Sequence, residues 1–447
     1  METRREIYED AQVQVQGLAK ISKSIKESTV DINREQARFL VDTYYQIQKM
    51  RTSTANQIRS ITQNLDDQGE TIPSAIEWVF QNMKNQEAQM KKIFQTFAES
   101  NPVGRWMLDI VGIGPVIASA CLSYYDIDVV SHCNQFWSFS GLNDYNNPWL
   151  GKTGAADMVK EIYEELECKD DGVDFICKMS DISSKDKDKI KKKVKHLKNE
   201  NNFGGLEIIE LIKEIHPEFI ALVQVAFDGY DDNRIADYLI RAFVDKNAVT
   251  DTVLNEVCCK STRKLDSVIR GVKHSMPKAK VEAGIFAPKR SELTSYLAKP
   301  PYNINAKQLC FIIGDSFVKQ SNKPNSVYGK LFKERSVYEN QMNENGMYEK
   351  QAREALAKKN FGKDTASYKW YSEGKLPPAH IYARCRRYAV RMFLSHLFEA
   401  MHLNKYGTDI HLPEIYPIAF LEHSDYIGPE VPYDRYIIYK KESKLNR

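Results

Sequence analysis

Long apolar runs, paired cysteines and nucleotide-binding loops are all missing from this chain of 447 residues. No window reaches the roughly 18 consecutive apolar residues of a membrane span, so no membrane partner is expected. The segment Met1–Asp10 carries charges with no apolar core behind them and does not read as a secretory signal. The eight cysteines form no C-x-x-C pair, and Cys258 and Cys259 are adjacent, which suits neither a disulfide framework nor a zinc knuckle. A reducing, cytoplasmic setting is the expectation. There is no G-x-x-x-x-G-K-[ST] loop, no H-E-x-x-H and no Cys/His cluster, so neither cofactor nor metal is expected. Glu422-His423-Ser424-Asp425 holds the letters of a catalytic triad, but adjacent residues cannot take up triad geometry, and it reads as a polar turn.

Net charge is also scarce: 63 Lys/Arg stand against 60 Asp/Glu, a balance of +3. That excludes a histone-like polycation, but it hides an asymmetry. Between Pro301 and Ile410 there are 18 Lys/Arg and 10 Asp/Glu, an excess of eight, which leaves the rest of the chain at −5. A polyanionic partner would be sought on that basic third; Lys-rich loops kept for solubility are the competing explanation. The run Lys185–Lys198, with eight Lys in fourteen residues and acidic flanks, reads as a solvated helix or linker.

What is present is mostly helical pattern. Residues 1–32 form a polar arm. Asn33 followed by Gln36 is a capping-box signal. It opens a long amphipathic stretch through Leu40, Tyr44, Ile47 and Ile58, and Pro73 opens a second one that stops at Asn101-Pro102. Residues 33–102 therefore read as an antiparallel helical hairpin. Its narrow apolar seam resembles a coiled coil, and two bundle helices packed on the rest of the chain are an equal alternative. Residues 103–155 and 300–410 read as one helical domain interrupted by a helical insertion over 156–299. A Pro/Tyr-rich irregular tail follows over 411–447. Strand signals are limited to short runs such as Asp126–Val130 and Tyr436–Tyr439. The fold class expected is all-α, or mostly so.

Within this pattern, Val111-Gly112-Ile113-Gly114-Pro115-Val116-Ile117-Ala118 fits a helix-hairpin-helix. Gly112 can end a helix at positive φ, Ile113 turns back into the pair, Gly114 permits close approach, and Pro115 suits a first helical position. The free amides of such a hairpin can hold phosphate without reading bases. Glycines kept for packing alone are the competing explanation.

The second candidate is the helical segment Ala379–Phe393. His380, Arg384, Arg387 and Arg391 lie on one helical face at intervals of four, three and four, with no acid between Gly374 and Leu397. Such a stripe suits a nucleic-acid backbone, with Lys330 and Lys333 adding charge. The alternative is a structural network with acids of the N-terminal hairpin.

Taken together, Gly112-Ile113-Gly114-Pro115 with Ala118 and Ala120, then Phe136-Trp137-Ser138-Phe139-Ser140-Gly141-Leu142, resembles the C-terminal helix-hairpin-helix domain of the bridge-RNA-guided DEDD transposases of bacterial insertion sequences. The resemblance extends to the helical hairpin ahead of the motif and to the later Arg- and Ala-rich helices. It departs from that family in two places. Residues 1–72 offer no strand-borne carboxylates of a RuvC-like nuclease domain. The segment after Gly141-Leu142 reads Asn143-Asp144-Tyr145-Asn146-Asn147, without the family's serine nucleophile. The resemblance thus implies a transposase-like nucleic-acid-binding scaffold of phage or mobile-element type with no catalytic residues, DNA being favoured over RNA. Two alternatives stand beside it: a structural or inhibitory oligomer joined through the helical hairpin, and an active recombinase with displaced catalytic residues.

Overall fold

The structure, a computed structural model, describes residues 20–65, 73–143, 149–169, 247–261, 263–282, 288–358 and 361–407, with isolated positions between 185 and 217. Most of the polar arm and of the Lys-rich run, and the whole of the Pro/Tyr-rich tail with Tyr436–Tyr439, lie outside the described residues. The fold is all-α: among the described residues the only β pairing is one isolated antiparallel bridge between Ala248 and Lys289. The chain divides into two compact units, Met1–Leu142 with Tyr302–Arg447, and Asn143–Pro301.

The first unit begins with α1 (Lys23–Ser28) and α2 (Arg34–Leu65). The capping box ahead of α2 is reciprocal. Gln36 N–H donates to Asn33 Oδ1 at 2.9 Å, and Asn33 N–H donates to Gln36 Oε1 at 2.9 Å. α3 (Ser74–Ser100) runs back against α2. Asn101 ends α3 and starts α4 (Pro102–Leu108) at the same point, its Oδ1 accepting from Val103 N–H at 2.9 Å and Gly104 N–H at 3.4 Å. The break is therefore a corner between two helices, with Pro102 at the first helical position.

α5 (Pro115–Tyr124) explains the long hairpin. Every residue from Ile117 to Tyr124 is buried, because α5 is apolar all round and needs cover on all sides. Ala37, Val41 and Tyr44 of α2 and Phe94, Phe97 and Ala98 of α3 belong to the same core as α5. Arg38 donates to the Ser123 carbonyl at 2.7 Å, and Ser119 Oγ donates to the Phe94 carbonyl at 3.1 Å. The base of the hairpin is thus part of a bundle, and its narrow seam is a seat for α5. Farther out the two helices are tied by Arg51 and Glu87 at 2.5 Å. After α5, Asp126–Val130, one of the short runs with a strand signal, contains a turn and no strand. Asp126 Oδ1 accepts from Asp128 N–H at 3.0 Å and its other oxygen pairs with Arg34 at 2.7 Å, which commits the backbone to the turn. α6 (Asn134–Phe139) follows.

The second unit holds α7 (Gly151–Lys169), α8 (Asp251–Ser261), α9 (Leu265–Lys273), α10 (Lys278–Glu282) and α11 (Arg290–Ala298). Val159, Ile162, Val253, Leu254, Val268, Leu293 and Leu297 form a core of its own. The unit begins at Asn143, earlier than the expected 156, because α7 packs on α11 and α8.

The first unit resumes with α12 (Ile304–Lys319), α13 (Val327–Glu344), α14 (Glu349–Lys358), α15 (Ala366–Ser372) and α16 (Pro378–Tyr406). α16 is its central helix. Every residue from Phe393 to Leu403 is buried, with Phe393 against Trp106, Phe317 and Tyr328 at ring-centroid distances of 6.3, 5.7 and 5.5 Å.

Candidate nucleic-acid interface

The turn between α4 and α5 is longer than the sequence suggested: α4 ends at Leu108 with Asp109 as its C-cap, and Gly112 lies in the turn that follows, not at the helix end. Gly112 sits at φ 104°, a region that L side chains avoid, and an added Cβ would lie 3.0 Å from Phe317 Cδ1. Ser316 Oγ of α12 donates to the Gly112 carbonyl at 2.6 Å, so the turn is pinned from outside. Ile113 is buried in the core, and its N–H returns to the Ile110 carbonyl at 2.9 Å. Gly114 is the N-cap of α5 and Pro115 its first residue. An added Cβ on Gly114 would meet no heavy atom within 4 Å, and Gly114 caps the helix without a side chain. The positive end of α5 is therefore approachable at backbone level.

α12 joins this hairpin to α16. Ser316 and Phe317 hold Gly112 on one side, while Gly314 lies under Arg386 and Val390 of α16 on the other. The expected arginine stripe, however, does not face outward as a set. Arg384 Nε donates to Glu339 Oε2 at 2.8 Å, and its guanidinium lies 4.6 Å from the centre of the Tyr348 ring. Arg391 donates to the Leu142 carbonyl and lies 5.8 Å from the Trp137 ring centre. His380 Nδ1 is 3.1 Å from the Tyr371 hydroxyl. The acid that answers Arg384 comes from α13, not from the N-terminal hairpin. Arg387 is half-buried, and among the described residues no ion pair engages it. Lys330 is exposed, and Lys333 Nζ, also exposed, donates to Asn322 Oδ1 at 2.7 Å.

Glu339 is the centre of a buried charge cluster. Besides Arg384 it accepts from Arg335, with contacts of 2.6 and 2.8 Å, and from the Tyr348 hydroxyl at 2.5 Å. Burial pushes its carboxyl up, but the Tyr348 hydrogen bond and the two guanidinium charges outweigh that and hold it below its usual range. The same burial and the Glu339 carboxylate push the Tyr348 hydroxyl up to about 12.

Sequence reasoning missed a line of residues on α12 and α16. Lys307 Nζ stands 4.0 Å from the centre of the Tyr302 ring. One turn on, Phe311 is 55% exposed, and the Arg386 guanidinium lies 3.9 Å from its centre. Arg386 is also 5.8 Å from the Tyr382 ring, which is 41% exposed. The available signal was the ridge Lys307, Phe311, Asp315, Lys319, spaced by four, in which an aromatic residue stands among charges on a surface face.

Nucleophilic chemistry finds little to use near the hairpin. The Tyr125 hydroxyl lies 2.7 Å from Ser140 Oγ and 3.3 Å from Cys310 Sγ, all buried. Burial pushes the Cys310 thiol up to about 11, so it is protonated near neutral pH and packs as a small hydrophobe. Among the described residues no group of three or more His, Cys, Asp or Glu is placed to hold a metal ion, and no helix is long and apolar enough to cross a membrane. No family model, curated protein or solved structure matches the chain.

Proposed function

We propose that the chain binds nucleic acid, DNA in preference to RNA, by holding the phosphate backbone at the hairpin Gly112–Pro115 without cleaving it. The observation that carries this reading is the pair of glycines. Gly112 is locked at positive φ by Ser316 and Phe317, while Gly114 leaves the start of α5 open to a close approach. Backbone amides at a helix start suit phosphate oxygens and carry no sequence preference. Arg387, Lys330 and Lys333 offer further positive charge on the same unit, whereas Arg384 and Arg391 are engaged within the fold. This is the role implied by the resemblance to the DNA-handling domain of the DEDD transposases, with phosphate contact kept and strand cleavage lost. A gel-shift series with single- and double-stranded DNA and RNA at two salt concentrations tests it. Binding that weakens with salt and with Gly114→Ala supports the reading, and no shift of any substrate at low salt removes it.

A second reading rests on α2, where Phe39 is 70% exposed and Met50 57% exposed. Apolar side chains at those positions favour self-association through the helical hairpin. Light scattering separates the two: a stable oligomer with no nucleic-acid affinity favours a structural or inhibitory role.

A further inference from the structure

We infer that the exposed ridge of α12 together with Tyr382 and Arg386 of α16 is a stacking platform for an unpaired stretch of nucleic acid. The inference rests on the nucleic-acid reading above and specifies the form of ligand. Two exposed rings, Phe311 and Tyr382, flank Arg386 at 3.9 and 5.8 Å, and Lys307 stands at the end of the line, 4.0 Å from the Tyr302 ring, which is itself packed against Gly141. Lys319 continues the ridge but is paired with Asp315 at 2.6 Å, so the two together add no net charge to it. From Lys307 to Lys319 the ridge is about 18 Å long at 1.5 Å per residue.

The guanidinium on the platform is held by the fold. The stem of Arg386 crosses α12 at Gly314, where any added Cβ would fall 2.5 Å from Arg386 Cγ. Only glycine lets the side chain lie across the helix and reach Phe311. Among the described residues no ion pair engages Arg386, so its charge stays available. Arg386 points away from the Arg384 cluster, two residues on and on the far side of α16.

The chemistry of this line selects its partner. Cations set beside rings attract a polyanion, and the rings and the guanidinium offer flat faces to flat groups. In a duplex the faces of the bases are stacked on one another, so only unpaired bases can use such a platform. An acidic peptide would satisfy the cations and leave the rings without a matching partner.

The experiment is fluorescence anisotropy on the full chain, with labelled oligothymidylate, a mixed-sequence duplex of equal length, and polyglutamate as competitor. Oligothymidylate is expected to outcompete the duplex. Phe311→Ala and Tyr382→Ala should each weaken single-strand binding about 5- to 150-fold while leaving duplex binding unchanged. Tyr382→Phe should keep single-strand affinity, which separates stacking from loss of folding. Arg386→Lys, which keeps the charge and loses the planar face, should weaken it. Duplex binding that falls with Gly114→Ala, together with single-strand binding indifferent to Phe311→Ala, overturns the platform and leaves the nucleic-acid reading standing. Polyglutamate competing as well as oligothymidylate also overturns it, since charge alone would then suffice. Failure of the unaltered chain to bind either nucleic acid at low salt removes both.

Discussion

Arg384 on α16 and Glu339 on α13 meet at 2.8 Å, 45 positions apart in sequence, and the Glu339 side chain is only 2% exposed. Arg335 and the Tyr348 hydroxyl close the same carboxylate from its other sides. The pair joins α13 to α16, and Arg384 also donates to Gln351 Oε1 of α14 at 3.4 Å. A carboxylate this buried is tolerated because every direction of approach carries a donor.

Replacing Glu339 by Gln is therefore expected to cost about 3 kcal/mol near neutral pH, since two guanidinium groups lose their counter-charge. Urea unfolding measures it. The pH dependence has a fixed sign. Because the folded carboxyl titrates below its ordinary 4.5, its contribution is complete above that value and is lost as pH falls through the folded value. The stability gap between the unaltered chain and Glu339→Gln should accordingly shrink at pH below 4.5. A gap that widens in acid would contradict this account.

The two hairpin glycines should respond in opposite ways. Gly112→Ala forces a Cβ onto a backbone at φ 104° and within 3.0 Å of Phe317. A loss of about 1–3 kcal/mol in stability is expected. Gly114→Ala meets open space at φ −96°, so its melting temperature should stay near that of the unaltered chain while affinity for nucleic acid drops. Thermal melts and gel shifts on both variants check this. Equal effects on stability would mean that both glycines serve packing alone.

Much of the scaffold was legible in local chemistry. The capping box at Asn33 and Gln36, the stop at Asn101-Pro102 and the turn glycine at Gly112 each act within a few residues; the structure places helix ends at the first two and a turn at positive φ at the third. The arginine face was legible as a face, but its environment was not. The segment from Gly374 to Leu397 contains no acid, and the carboxylate that holds Arg384 arrives from a different helix. The seam of α2 and α3 left two readings open for the same reason: polarity along a helix reports how much is buried, not what buries it, and α5 decides for bundle helices packed on the rest of the chain. Arg386 escaped notice because its role depends on the absence of a side chain at Gly314, 72 positions earlier.

Charge reversals should sort the basic residues by role. Lys330→Glu, Lys333→Glu and Arg387→Glu are each expected to leave the melting temperature nearly unchanged. Each would lower affinity for nucleic acid and reduce the slope of log affinity against log salt by about one. Arg391→Glu, by contrast, should destabilise the fold, because it removes the donor to the Leu142 carbonyl and places a carboxylate against Trp137. Melting curves and salt titrations on the four variants give the answer. If Arg391→Glu melts like the unaltered chain, its inward contact has been given too much weight.

His402 gives a pH effect in a different range. Its ring is buried between Phe398 and Tyr406, with centroid distances of 5.9 and 4.7 Å, and Nδ1 has no hydrogen-bond partner among the described residues. Burial pulls its pKa below the ordinary 6.5, so the folded chain holds it neutral where the unfolded chain would protonate it. The unfolded state then binds the extra proton, and stability must fall as pH drops below 6.5. His402→Phe keeps the stacked ring and removes the titration. Its stability curve from about pH 8 to about pH 5 should therefore be flatter than that of the unaltered chain. Parallel curves across that range would mean that His402 takes up its proton without leaving the core.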